Sequence, residues 1–365
     1  MVYAMMSIGV LGFLVWSWKL ASLHSDMEIY INFAICWNGL VLIGTLNGKN
    51  SISYTQSAGN LSLENKTQSA SETTRETSFN FSLFRLHYNK LFGGDTQHIT
   101  DNWLSWFIGF VEGDGAIQTF AKGTRVRFVL TQKESAILYY IHNKLGIGTV
   151  KHFPQGTSNN KNDFYRLIID NPSHILLLAY LFNGNLAITF RIKQLSLWVQ
   201  ALNNRFGANT ILFKNTPVLI TLQDGWLSGF TDAEGCFNVS ITSNTRYKLG
   251  SVIKMRYLLD QKDKAILLVI QNLFGFGKVT LRSKTDNVYR YTATGFKSMN
   301  NVLFYFKEFP LLTKKSLSLA KWKSVYDIVI NKLHLSEQGL AKIREIQKDI
   351  NLNNSMTKKT GSAHP

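Results

Sequence analysis

The sequence predicts an α+β fold: two pseudo-symmetric αββαββα repeats in one chain, each with an antiparallel sheet. Three observations lead there. The stretch LSWFIGFVEGDG (residues 104–115) returns as WLSGFTDAEG (226–235), with Asp114 matched to Glu234 at an offset of 120. Further on, LTQKESAILYYIHNKLGIGTV (130–150) returns as LDQKDKAILLVIQNLFGFGKV (259–279) at an offset of 129. Self-similarity at a fixed period is the signature of repeated architecture. Finally, TRVRFVLTQ and VIKMRYLLDQ alternate apolar and polar residues, the period of a half-buried strand.

The elements follow in chain order. Residues 1–47 form an apolar N-terminal segment, whose runs at 2–18 and 29–46 are each just long enough for a marginal membrane-spanning helix. A basic n-region is missing, so the start is no standard secretory signal. Residues 48–99 turn to Ser, Thr, Asn and Gln and are predicted to be a linker. Repeat 1 spans 100–206, an inter-repeat linker 207–221, repeat 2 222–335, and a C-terminal helix and tail 336–365. In each repeat the first helix has a candidate N-cap, Asp101 or Asp224. The nine-residue difference between the two offsets predicts a longer strand connection in repeat 2, around 243–250. "DFYRLIID" and "NVYRYTAT" then align loosely, as do "RIKQLSLW" and "TKKSLSLAKW".

Charge narrows the function. The 365 residues hold 40 Lys plus Arg against 23 Asp plus Glu, a net +17 that favours a polyanionic partner. In the strands, Arg125 and Arg127 fall on the face opposite Val126, Phe128 and Leu130. Lys254 and Arg256 fall opposite Ile253, Met255 and Tyr257. A single basic strand reads first as a solvated sheet face; its duplication on a chain of net charge +17 puts a nucleic-acid surface on an equal footing, and both readings stay open. The two cysteines and eight histidines show no metal-ligand spacing, so any metal chemistry rests on oxygen.

Two acids then close each duplicated helix, Glu112 and Asp114 in one and Asp232 and Glu234 in the other. A carboxylate at a helix C-terminus opposes the macrodipole, by roughly 0.3–1 kcal/mol. Gly109 and Gly113, and likewise Gly229 and Ala233, are four apart and define a small-residue face. The two helices are therefore predicted to pack together, bringing one acid each to a common centre. A divalent cation, Mg²⁺ by the oxygen-only donor set, would join them and could promote phosphodiester hydrolysis. Capping, or pairing with nearby Lys and Arg, is the alternative, but it does not account for the duplication.

With those residues in view, FIGFVEGDG and LSGFTDAEG resemble the two signature motifs of the LAGLIDADG homing endonucleases, over roughly residues 100–334. The resemblance implies a single-chain pseudo-dimer, monomeric, whose two sheets form a saddle over double-stranded DNA. It also implies a metal-dependent DNA endonuclease, a hydrolase of ester bonds. Asp114 and Glu234 correspond to the metal ligands, with the carbonyls of Gly113 and Ala233. Glu112 and Asp232 are expected to support rather than ligate. Gln132 and Gln261 match a family glutamine, which as a neutral amide can orient the attacking water. Lys297 matches a family lysine; repeat 1 departs from the pattern with Asn171. Base contacts are expected from Arg125, Arg127, Lys254, Arg256, Lys278 and Arg282.

The N-terminal MVYAMMSIGVLGFLVWS resembles cytochrome c oxidase subunit 1, a mitochondrially encoded membrane protein, until the text departs at Trp18, Lys19 and Leu20. That implies an intron reading frame fused to its upstream exon and a product of the mitochondrial matrix. The apolar segment would be a relic removed by processing, and any membrane contact it makes would precede that. The target would be the intronless gene, with the codons of residues 11–17 in one half-site. The alternative is an RNA maturase that assists splicing of the host intron, alone or as a second activity.

Overall fold

In the computed structural model, residues 79–94, 96–154, 163–282 and 287–350 are described in full. Backbone alone is described for strands within 4–41 and for the last helix as far as 358. The chain divides into two units, residues 1–72 and 73–365. In the first, β1 (Ala4–Ile8), β2 (Leu14–Leu20), β3 (Ile29–Cys36) and β4 (Gly39–Val41) pair antiparallel in sequence order. The apolar runs thus carry strands where the sequence predicts marginal helices. IYINFAIC at Ile29–Cys36 is rich in β-branched and aromatic residues, which suit a pleated strand. Among the described residues, no helix is long and apolar enough to cross a membrane.

The second unit begins with α1 (Ser82–Phe92), inside the segment predicted to be a linker. Phe84 and Tyr88, one helical turn apart, are buried, and His87 stacks on Tyr180 with centroids 3.9 Å apart. Asn80 and Asn185 exchange hydrogen bonds at 2.9 and 2.8 Å. The polar tract around this short helix hides its two-residue apolar face.

Repeat 1 runs α2 (Asp101–Asp114), β5 (Gly115–Phe120), β6 (Arg125–Gln132), α3 (Ser135–Leu145), β7 (Thr149–Phe153), β8 (Phe164–Ile169), α4 (Pro172–Phe182) and α5 (Thr189–Phe206). Repeat 2 runs α6 (Trp226–Glu234), β9 (Gly235–Ser243), β10 (Ser251–Gln261), α7 (Lys264–Phe274), β11 (Lys278–Leu281), β12 (Tyr289–Thr294), α8 (Phe296–Glu308) and α9 (Lys315–Ile330). The sheets have equivalent orders, β5-β6-β8-β7 and β9-β10-β12-β11, antiparallel throughout. Each repeat has one helix more than the sequence predicts. The chain turns at Gly184 (φ +84°) between α4 and α5, and Pro310, which has no N–H to continue a helix, lies between α8 and α9. The nine extra residues of repeat 2 divide evenly: three in β9, three in β10 and three in the loop between them.

Burial separates the faces of both sheets. Phe128 and Leu130 of β6 and Tyr257 and Leu259 of β10 are fully buried against the helices. Arg125, Arg127 and Thr131, and Lys254, Arg256 and Asp260, alternate with them onto the outer faces. The sheet register also puts Lys278, Lys151, Arg166 and Arg290 there. α10 (Glu337–Lys358) buries Leu340, Ile343 and Ile350, and Gln347 Nε2 donates to the Val239 carbonyl of β9.

Candidate active site

The two acid-ended helices lie backbone to backbone. A Cβ placed on Gly109 would stand 2.0 Å from the Trp226 carbonyl oxygen, and one on Gly229 would stand 1.8 Å from that of Trp106. One turn further, a Cβ on Gly113 would meet the Ala233 methyl at 2.2 Å. The small-residue face read from the sequence is therefore the seam. The α2 N-cap is Thr100, whose hydroxyl accepts from Trp103 N–H at 3.2 Å, so Asp101 is in the first turn rather than at the cap. In repeat 2, Asp224 accepts from Trp226 N–H at 2.9 Å. Gly115 and Gly235 end the helices in extended backbone, not in the left-handed conformation usual for a terminal glycine. They are glycines for space: a Cβ would lie 2.7 and 2.6 Å from the carbonyls of Val111 and Thr231.

The inner acids stitch the seam crosswise. Trp106 Nε1 donates to Asp232 at 2.9 Å and Trp226 Nε1 donates to Glu112 at 2.7 Å, so each helix supplies the indole that holds the other's carboxylate. Glu112 also accepts from the Ala187 and Ile188 N–H groups at 2.9 and 2.7 Å. Asp232 accepts from Leu312 N–H at 2.7 Å and from the Thr313 hydroxyl at 2.5 Å. Those loops lead directly into α5 and α9. Burial pushes the Glu112 carboxyl up to about 7, against these donors and Arg191, which hold it down. Every polar partner of that side chain is a donor, so the acceptor-only carboxylate fits the pocket. Glu112→Gln, which puts an amide NH₂ among N–H donors, is expected to cost about 2–4 kcal/mol. The check is a thermal melt, with a fall in Tm; an unchanged Tm would show that the pocket does not need a carboxylate.

The outer acids stand at the ends of α2 and α6. Asp114 accepts from Gln132 Nε2 at 2.6 Å, and Glu234 accepts from Gln261 Nε2 at 3.4 Å. Both carboxyls are pushed up, first by enclosure among protein atoms and, for Glu234, next by the charge of Asp114. Asp114 keeps a solvent-facing side, so its enclosure is only partial. Two cations oppose the repulsion between the acids. Lys315 Nζ donates to the carbonyls of Thr231, Asp232 and Ala233 at 3.1, 2.7 and 2.7 Å, closing the end of α6. Arg191 does the same for α2, donating to the Glu112 and Gly113 carbonyls at 3.0 and 3.1 Å. Cations at helix C-termini offset the macrodipole that the acids oppose. Part of the electrostatic problem posed by the sequence is thus solved by side chains, before any metal is considered. Burial pulls the Lys315 ammonium down, yet its three N–H groups face three carbonyls, which suits the charged form.

Lys297 is exposed in the first turn of α8. The cations that act on Asp114 and Glu234 are Lys315 and Arg191. Asn171, its repeat-1 counterpart in the sequence alignment, is the α4 N-cap, accepting from Ser173 N–H at 2.9 Å. Sequence reading missed Arg191 and Lys315, although both lie in the aligned pair RIKQLSLW and TKKSLSLAKW, 124 residues apart. The same offset relates Trp198 and Trp322, whose indoles donate to the carbonyls of Gln118 and Asn238.

Among the described residues, no group of three or more His, Cys, Asp or Glu side chains could hold a metal. The seam offers two carboxylates and the carbonyls of Gly113 and Ala233, each of which already accepts one hydrogen bond and keeps a second lone pair. An all-oxygen set this small suits a hard cation that keeps most of its waters or binds through a phosphate.

Two four-stranded sheets, joined through paired helices that each end in an acid, define the single-chain, two-repeat class of LAGLIDADG proteins. Residues 227–326 match the LAGLIDADG endonuclease profile, so the chain carries a LAGLIDADG domain there. It is similar to the probable intron-encoded endonuclease 4 of Neurospora crassa, 32% identical over 257 residues, which cover 69% of this chain and 45% of that protein. It is 28% identical over 257 residues to an uncharacterized 37.2 kDa cox1 intron-2 protein of Schizosaccharomyces pombe, covering 67% of this chain and 73% of that one. The chain therefore spans less than half of the first relative and about three quarters of the second. Among solved structures, it shares its fold with I-SmaMI bound to uncleaved DNA in the presence of calcium ions. That match has a TM-score of 0.54 and 17% identity, over 68% of this chain and 98% of that one. The meganuclease I-AabMI bound to uncleaved DNA matches at TM-score 0.54 and 24% identity, over 67% and 98%.

Proposed function

We propose that this chain is a site-specific, double-strand DNA endonuclease that promotes homing of its host mitochondrial intron. The observation that carries the proposal is the seam: Asp114 and Glu234 end two helices in backbone contact, between two sheets with basic outer faces. In this reading the chain acts as a monomer in the mitochondrial matrix, on the intronless cytochrome oxidase subunit 1 gene. The cox1 and ND4 introns named for its relatives support that setting.

Asp114 and Glu234, with the carbonyls of Gly113 and Ala233, would hold Mg²⁺. When bound, the ion would polarise the phosphate and lower the pKa of a bound water. Gln132 and Gln261 fix the carboxylates and orient the attacking water. The Gln261 amide oxygen accepts from Lys262 N–H at 2.7 Å, so the two glutamines are not equivalent and the strands would be cut at unequal rates. Lys315 and Arg191 favour the ionised acids and take the cationic role that the family resemblance gave to Lys297. Of the basic strand residues, Arg125, Lys254, Arg256, Lys278 and Arg282 contact DNA in the groove or along the backbone, while Asp170 holds Arg127.

The test uses the full chain with Mg²⁺ and linear DNA carrying the joined exons, in parallel with unspliced host RNA. A staggered double-strand cut is expected at the exon junction. Intact DNA together with accelerated RNA splicing would favour the maturase reading instead.

A further inference from the structure

The outer faces of the two sheets carry arginines at matching places, but the carboxylates that neutralise them are exchanged between repeats. At the strand ends nearest the acids, Thr131 faces Arg166 in repeat 1, and the matching pair in repeat 2 is Asp260 and Arg290. Asp260 accepts from Arg290 Nε and a terminal nitrogen at 2.5 and 2.6 Å, and it lies 3.3 Å from an Arg282 nitrogen. Thr131 offers no such charge. The Arg166 guanidinium instead lies 4.9 Å from the ring centroids of both Phe153 and Phe164, and its Nε is buried without a hydrogen-bond partner.

Four residues back along the strand the pattern is reversed. Arg127 is gripped by Asp170 at 2.5 and 3.0 Å, whereas its counterpart Arg256 faces Thr294 and donates only to the Ser240 hydroxyl, at 3.1 Å. A bidentate carboxylate occupies much of the arginine fork and cancels its charge. An arginine on an aromatic platform keeps both its charge and its orientation.

Building on the DNA-binding reading above, we propose that the two half-sites are read unequally. Repeat 1 fixes a guanine close to the cut through Arg166, and repeat 2 fixes one further out through Arg256. Arginine reads guanine through its O6 and N7 in the major groove. The two places differ by four strand residues, about 13 Å at ~3.3 Å per residue. That length corresponds to roughly four base pairs at ~3.4 Å each.

The test is selection of bound sites from a randomised duplex pool by the full chain without divalent cations, so that bound DNA stays intact. The wild type should enrich an inner guanine in one half-site and an outer guanine in the other. Arg166→Ala and Thr131→Asp, the latter importing the carboxylate of repeat 2, should each reduce the inner preference about tenfold or more and leave other positions unchanged. Arg256→Ala should remove the outer preference, and Asp170→Thr, which releases Arg127, should add one in the repeat-1 half-site. The inference fails if enriched sites are unchanged in these variants, or if affinity falls equally for all sequences, as for a phosphate contact. It fails too if Arg290→Ala erases an inner preference as strong as that of Arg166. A wild type that enriches no sequence would remove the DNA-recognition reading as well.

Discussion

Asp114→Asn and Glu234→Gln are each expected to lower double-strand cutting by about a thousandfold or more while leaving DNA affinity within a few-fold. Both substitutions keep shape and hydrogen-bonding capacity, and both remove the negative charge that would hold a divalent cation. Losing electrostatic stabilisation of a phosphoryl transition state typically costs several kcal/mol, and ~1.4 kcal/mol is a factor of ten in rate. Affinity should persist because the basic groups of the outer faces stand on the strands and not on the helix ends that carry the acids. The pair must be measured side by side on the same DNA, with cutting and gel-shift affinity read separately. Loss of binding in step with cutting would mean that the acids shape the fold rather than the chemistry.

The second large effect concerns the seam. Gly109→Ala and Gly229→Ala each force a methyl into a backbone carbonyl of the opposite helix, at 2.0 and 1.8 Å. No side chain can yield there, so α2 and α6 must separate, and the indole–carboxylate bonds of Trp106 and Trp226 lengthen with them. Destabilisation of about 3 kcal/mol or more follows from overpacking and partial loss of buried hydrogen bonds. For a unit of this size that is a Tm lower by roughly 6–12 °C. Gly123→Ala, where an added Cβ meets nothing, is the control, although its left-handed backbone (φ +89°) adds a modest cost of its own. Melting at the wild-type temperature in both seam variants would contradict the close packing.

Most of the fold was legible because the repeat aligned two copies of each element against one another. The residues at the seam announced themselves through spacing: small side chains four apart, then two acids before a glycine. What stayed hidden depended on tertiary placement. Arg191 and Lys315 begin helices that are distant in sequence from the acids, and nothing local marks them as caps for α2 and α6. Lys297, matched through the family resemblance, is exposed on the first turn of α8. Gly115 follows the helix end, where a glycine is usually left-handed, yet its backbone is extended, because β5 leaves the helix at once and a side chain would strike the last turn. The helix α1 escaped because it follows a long polar tract and buries only Phe84 and Tyr88, while its partner surface on α4 lies about a hundred residues away.

One measurement tests the shared centre directly: anomalous scattering from Mn²⁺ in crystals of the full chain bound to its DNA target. The account expects density for the metal between the Asp114 and Glu234 carboxylates, lost in Asp114→Asn. Metal bound only at other side chains, or the two carboxylates facing away from each other and from the DNA, would contradict it.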